Sequence, residues 1–241
     1  MTDLISLDDA FAYNPSQPRD AHGRWTSGSG LTGEQYRVLF ADKPVVDARG
    51  TLQSTADGAA LVTAVDKWVG DMETCAAISS TADDLIRGFE PTFPALVDDA
   101  GAILDALDEA PEPMKTSIYR GVALREKDIR GYDVGRKIDF PLGSFTPHAS
   151  AAHEFADMAT NHLGEGYHPV MFKVRGYPPI QGVLPIGQIS LRDHGIDEIL
   201  TGGRFEVVAV EDAREGYGPS GLTADFVTVE LEQIENLSAN V

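Results

Sequence analysis

Between residues 57 and 109 the apolar positions fall at helical intervals. Ala60, Leu61, Ala64, Val65, Trp68 and Met72 recur at steps that line one buried helix face. Thr81-Ala82-Asp83-Asp84 reads as a helix start, a hydroxyl cap followed by acids that favour the positive end of the helix dipole. The period returns over 93–110 with Ile103, Leu104 and Leu107 inward, and Pro111 and Pro113 end it. From Ser117 onward the texture changes to short β-rich runs at 118–124, 137–140, 170–174, 198–200, 204–210 and 226–231, separated by Gly and Pro clusters. One helical run, 150–163, interrupts them, and Gly202-Gly203 reads as a hairpin turn. Helices first and strands after predict an α+β fold, an N-terminal helical part packed on a two-sheet β core.

Residues 1–33 carry neither period. Asn14-Pro15-Ser16-Gln17-Pro18-Arg19-Asp20 is dense in turn formers, and 26–33 is rich in Gly, Ser and Thr. Such a stretch buries too little surface to offset the entropy of ordering it, so 1–33 is expected to be a flexible arm and 34–241 the folded domain. Gly28-Ser29-Gly30-Leu31-Thr32-Gly33 fits the dinucleotide pattern G-x-G-x-x-G, but no strand precedes it, so it reads as linker. Tyr13 and Trp25 flank the polar run as candidate docking anchors.

Charge narrows the range of functions. The chain has 38 acidic and 19 basic residues, a formal net charge of −19. An acidic surface repels phosphate backbones, which argues against nucleic-acid binding and makes each arginine near a pocket more important. The sequence has no run of membrane-spanning length and no basic-then-apolar start, so a soluble protein without a cleaved signal is expected, with no membrane partner. The single cysteine, Cys75, sits in an apolar stretch and reads as a buried structural thiol. The six histidines show no paired helical spacing, so no metal is expected. There is also no G-x-S-x-G elbow.

Three separated segments carry candidate chemistry. In Ile118-Tyr119-Arg120-Gly121-Val122 an arginine sits mid-strand among apolar residues, able to grip an anion with both arms. The glycine after it would let backbone approach a flat ligand. In Gly143-Ser144-Phe145-Thr146-Pro147-His148 a strand ends in hydroxyls just before the 150–163 helix. Those hydroxyls would cap the helix or orient a carboxylate across a cleft. In Asp197-Glu198-Ile199-Leu200 an acid stands at the head of a strand.

In this order and spacing the three segments resemble the Arg–Ser–Glu class of mono-ADP-ribosyltransferases. An aromatic-Arg-Gly strand comes first in that class. A Ser-Thr-Ser strand leading into a helix with Phe-Ala is second, and a Glu followed by Ile-Leu and a Phe-x-Val strand is last. The resemblance covers about residues 50–232. It implies an ADP-ribosyltransferase-like fold and an enzyme that cleaves NAD at its nicotinamide bond, transferring ADP-ribose to a host protein acceptor. It implies that Arg120 contacts the phosphates or ribose of NAD and that the Gly121 backbone binds the nicotinamide amide. Tyr119, Ser144, Phe145 and His148 would line the same NAD site. Thr146, at the first serine of Ser-Thr-Ser, would hold the catalytic Glu198. Glu198 would stabilise the positive charge that builds as nicotinamide leaves, as glycosidase carboxylates do.

The sequence also departs from the class. Thr146-Pro147-His148 keeps one hydroxyl of three. Arginine-specific members carry Glu or Gln where Ile196 stands, and Asp197, if extended, would point to the other face. A non-arginine acceptor, NAD hydrolysis and lost activity therefore stay open. The arm is similar to a segment, N-P-x-Q-P-R-D-x-x-G-R-W, of tailed-phage head and portal-associated proteins. That resemblance implies a phage or prophage origin and a location in the virion or host cytoplasm, with the arm docking on capsid or portal proteins. A minor capsid protein on a degenerate transferase scaffold, and a toxin or effector of a mobile element, are the alternatives.

Overall fold

The computed structural model describes residues 31, 33–39, 45–108, 110, 113–191, 196–213 and 226–237. The arm expected over 1–33 lies outside the described residues except for Leu31 and Gly33, as does the proline stop at Pro111. The chain divides into two compact units, one of Met1–Pro111 with Gln188–Arg192 and Leu237–Val241, the other of Glu112–Gly187 with Asp193–Asn236.

The first unit is helical: α1 (Gly33–Leu39), α2 (Val45–Leu52), α3 (Ala56–Trp68), α4 (Met72–Arg87), a 3-10 turn (Pro94–Leu96) and α5 (Val97–Asp108). Leu61, Ala64, Val65 and Trp68 form the buried face of α3 as their spacing predicts. Ala60 is exposed, and Met72 is 89% exposed because Gly70 and Asp71 break the helix and Met72 opens the next one. That break also corrects the expected helix start at Thr81. Asp71 is the cap, its carboxylate accepting from Thr74 N at 2.8 Å. Thr81 is buried in mid-α4, where its hydroxyl donates to Ala77 O at 2.8 Å. Cys75 lies half-buried on α4 rather than sealed in the core, and Leu104 is likewise half-buried beside the buried Ile103 and Leu107. In this unit the buried Gln35 and Asp99 are both matched. Gln35 Nε2 donates to Leu52 O at 3.0 Å and Thr55 Oγ1 at 2.7 Å, and Asp99 holds Lys67 Nζ at 2.6 Å.

The second unit carries β1 (Ile118–Arg125), the single turn α6 (Glu126–Ile129), β2 (Lys137–Phe145), α7 (Ala149–Leu163), β3 (Tyr167–Val174), β4 (Leu184–Pro185), β5 (Ile199–Asp212) and β6 (Val227–Asn236). The sheet order is β1-β3-β6-β5-β2, with β4 beside β5, and β3–β6 is its parallel pair. The two edge strands curl round and meet at one rung, where Tyr119 N donates to Thr146 O at 2.7 Å and Thr146 N to Tyr119 O at 2.9 Å. The two β layers expected are therefore the flanks of a single curled sheet. Phe140 of β2 stands between them, edge-on to Phe172 of β3 at 4.9 Å and to Phe205 of β5 at 5.6 Å. Helix α7 covers the other face of β1, so close that a Cβ on Gly121 would lie 1.7 Å from Ala152 O.

The expected hairpin at Gly202-Gly203 does not form, and β5 runs straight through both glycines. Gly203 has φ 124°, and a Cβ there would meet Glu235 O of β6 at 2.2 Å. The glycines serve close strand approach and the bulge at Arg204/Phe205 rather than a turn.

The parallel register sets Lys173 opposite Glu230, whose carboxylate binds Arg175 Nη2 at 2.6 Å and Lys173 Nζ at 2.7 Å. The Arg175 hydrogen bond, aided by Lys173, holds the Glu230 carboxyl down from 4.5 to about 2 although burial opposes this. A depressed folded value stabilises the fold above the unfolded pKa, and that stability is lost as pH falls through the folded one. Glu230→Gln should therefore cost about 1–2 kcal/mol at neutral pH, after allowance for the partly exposed partners. The gap to the parent should narrow between pH 4.5 and about 2. Urea unfolding across that range measures it, and a gap independent of pH would show that the ion pairs are not its source.

Candidate functional site

The rung where the curled sheet closes is also where the three motif segments meet. Thr146 is bridged to Tyr119 on one side. On the other, β2 pairs with β5 so that Ser144 faces Leu200 and Phe145 faces Ile199, which brings the chain just before β5 alongside Thr146. Ser144 and Thr146, two residues apart on one strand face, grip that chain at two points. Ser144 Oγ donates to Glu198 Oε1 at 2.5 Å, and Thr146 Oγ1 donates to Ile196 O at 2.5 Å. The Glu198 carbonyl is fixed as well, accepting from Ile186 N at 2.8 Å and Gly187 N at 3.0 Å. A half-buried carboxylate is thus held by its own side chain and by the backbone on both sides.

This changes the role expected of Thr146. The hydroxyl on Glu198 belongs to Ser144, and Thr146 instead holds the backbone of Ile196 and accepts from His148 N at 3.1 Å. Ser144 and Thr146 thus share the holding of the chain around Glu198, two residues apart on β2. Neither hydroxyl caps α7, whose N-cap is His148 without a side-chain cap bond. The bulge between Phe140 and Gly143, which takes up Pro141, sets this register.

Arg120 reaches from β1 across to β2. A Cβ on Gly143 would fall 1.7 Å from its Nη1, so Gly143 makes room for the guanidinium. The Arg120 Cζ stands 5.8 Å from the Phe145 ring centroid, within cation–π range. Sequence reasoning passed over Gly143, although a glycine immediately before the hydroxyl strand was the available signal.

Gly121 has a double position. Its missing side chain makes room for α7, whose Ala152 O and Ala156 N close on that space, and not for a ligand. Its backbone faces elsewhere. Residues of an antiparallel strand turn their N–H and C=O to alternate sides. Tyr119 spends both on Thr146, so Gly121 turns both toward β2, where the described residues of β1 and β2 share no further rung.

Asp197 is not extended as expected. It has φ 49°, the left-handed region, which non-glycine residues rarely adopt. That turn brings its Oδ2 to 2.8 Å from His148 Nε2. Arg120, Gly121, Ser144, Phe145, Thr146, His148 and Glu198 therefore all stand within a few residues of the Tyr119–Thr146 rung. Among the described residues no group of three or more His, Cys, Asp or Glu is gathered to hold a metal ion, and no helix is long and apolar enough to cross a membrane.

The curled sheet, with α7 packed on it, is the fold of the ADP-ribosyltransferases. The ADP-ribosyltransferase Vis, in complex with M6 inhibitor, is 17% identical over 86% of this chain and 87% of its own, with a TM-score of 0.50. The Vis toxin of Vibrio splendidus is 16% identical over 86% and 88%, with a TM-score of 0.48. Exoenzyme S of Pseudomonas aeruginosa, in complex with human 14-3-3 protein beta and bound to carba-NAD, is 14% identical over 83% and 88%, with a TM-score of 0.46. No protein-family model and no curated protein sequence matches the chain.

Proposed function

We propose that this protein is an NAD-dependent mono-ADP-ribosyltransferase. The observation that carries the reading is the seating of Glu198. Its carboxylate is fixed by Ser144 one strand position from Gly143, over which the Arg120 guanidinium lies. An anion-gripping cation and an oriented carboxylate beside one sheet seam suit a substrate with a diphosphate at one end and a breakable glycosidic bond at the other. NAD is such a substrate, and the fold shared with the ADP-ribosyltransferase Vis supports the choice.

In this reading Arg120 binds the diphosphate with two parallel hydrogen bonds. The Gly121 N–H and C=O, both turned toward β2, pair with the nicotinamide carboxamide, which offers one acceptor and one donor. Tyr119, Phe145, Thr146 and His148 border the bound NAD. Glu198 lies against the nicotinamide ribose and stabilises the oxocarbenium charge as the C1′–N bond breaks. Because Ser144 and two backbone N–H groups hold it beforehand, little reorganisation is needed when that charge appears. The acidic chain, net −19, suits a protein acceptor better than a nucleic acid.

The full chain is expected to release nicotinamide from NAD. NAD at 100 times its dissociation constant should stabilise it by about 2.7 kcal/mol in a thermal-shift titration. A chain that releases no nicotinamide and shows no shift at millimolar NAD is not this enzyme.

A further inference from the structure

We propose that His148 is the base that takes the proton from the acceptor, and that the acceptor group is a hydroxyl, either water or a serine or threonine side chain. This rests on the transferase reading above. His148 Nε2 lies 2.8 Å from Asp197 Oδ2. In the neutral ring a carboxylate acceptor at Nε2 selects the tautomer with the proton there, which leaves Nδ1 its lone pair. Among the described residues nothing hydrogen-bonds to Nδ1, and the side chain is 47% exposed, open to an incoming group. Histidine is the side chain suited to taking and returning a proton near neutral pH.

The pair is built into the same clamp that holds Glu198. Thr146 Oγ1 accepts from His148 N and donates to Ile196 O, which locks the backbones carrying the two partners together. Asp197 is held in the left-handed conformation, and that turn delivers its carboxylate to the ring. Asp197 is a positioning residue and His148 the catalytic one.

The pairing also selects the acceptor. A guanidinium keeps its proton far above neutral pH, so the lone pair that the ring offers has no proton to take from it. A neutral hydroxyl can donate directly to the Nδ1 lone pair. In the step, a lone pair of the hydroxyl oxygen forms the bond to ribose C1′. The C1′–N bond breaks, and its electron pair leaves with neutral nicotinamide. The hydroxyl proton passes to Nδ1, so the positive charge of the pyridinium ends on the imidazolium and is then shed to water.

The test incubates the full chain with NAD, using N-acetylserine amide as the hydroxyl probe and agmatine as the guanidine probe, and separates the products. Free ADP-ribose or the serine adduct should form in preference to the agmatine adduct. His148→Ala should lower both by about 100-fold at saturating NAD, and added imidazole should restore part of the rate. Asp197→Ala should lower kcat with KM for NAD unchanged. Agmatine as the preferred acceptor, a His148→Ala chain at the parent rate, or a loss that imidazole does not relieve would each overturn the proposal. A parent chain that releases no nicotinamide overturns the transferase reading with it. Nicotinamide release that survives in His148→Ala overturns this inference alone.

Discussion

Glu198→Gln is expected to lower nicotinamide release from NAD by at least about 10²–10³-fold, the usual loss when one preorganised group is removed from a developing charge. The substitution is nearly isosteric. Its amide oxygen can still accept from Ser144 Oγ, and its carbonyl keeps the bonds from Ile186 N and Gly187 N. What disappears is the negative charge that the proposed mechanism sets against the oxocarbenium ion. Stability should therefore change by less than about 1 kcal/mol, the scale of one retained hydrogen bond of altered strength. NAD affinity should change little, since the proposed binding groups are Arg120 and the Gly121 backbone. Chromatographic assay of nicotinamide beside a urea titration separates the two effects. Full turnover in the variant would remove Glu198 from the reaction. Lost turnover with equally lost stability would make Glu198 a structural residue.

The second large effect concerns the two glycines beside Arg120, for which a Cβ would meet a neighbour at the same distance, 1.7 Å, with opposite consequences. At Gly121 the atom met is Ala152 O, with Ala156 N at 2.7 Å, both backbone of α7. A helix backbone cannot step aside locally, so Gly121→Ala must lift α7 from β1. A cost of about 2–3 kcal/mol is expected, in the upper range for overpacking. At Gly143 the atom met is the end of the Arg120 side chain. That side chain is the far end of a flexible residue and can swing away, but it then leaves its place over β2 and Phe145. Gly143→Ala should keep nearly full stability and weaken NAD binding about tenfold, or about 1.4 kcal/mol. Thermal unfolding with and without NAD distinguishes them. The contrast fails if Gly121→Ala unfolds at the parent temperature or if Gly143→Ala binds NAD as the parent does.

Much of this was legible in the sequence because the features concerned are local. The helical periods of α3 and α5, the span of α7 and the order of the strands follow from side-chain spacing along one segment. The chain Tyr119-Arg120-Gly121, the hydroxyl strand and Glu198 could be singled out one by one. Pairings between segments were not legible. Whether Ser144 or Thr146 reaches Glu198 depends on the β2–β5 register, which a bulge around Pro141 resets. Gly202-Gly203 has the composition of a turn, but β6 pressed against Gly203 keeps the strand running. Thr81 looks like a cap because nothing nearby in sequence reveals that Gly70 and Asp71 had already begun the helix. The bend at Asp197 was hidden because aspartate can be extended or left-handed, and only its partner across the seam decides.

The sheet order has a consequence for how the molecule comes into being. β6, the last of the described strands in the chain, lies in the middle of the sheet, and its parallel ladder to β3 joins Val170 to Val227. Parallel strands so far apart in sequence cannot zip from a hairpin, and closing so long a loop is slow. Among the described residues the backbone ladders join the β1–β3 flank carrying Arg120 to the β5–β2 flank carrying Glu198 through β6, with the Tyr119–Thr146 rung as the one direct bridge. The two flanks therefore gain a continuous backbone ladder between them only with β6 in place. A chain in which β6 is unpaired carries Arg120 and Glu198 on two ladders that no strand joins, so the site is expected to gain its full support together with the β3–β6 and β5–β6 pairings.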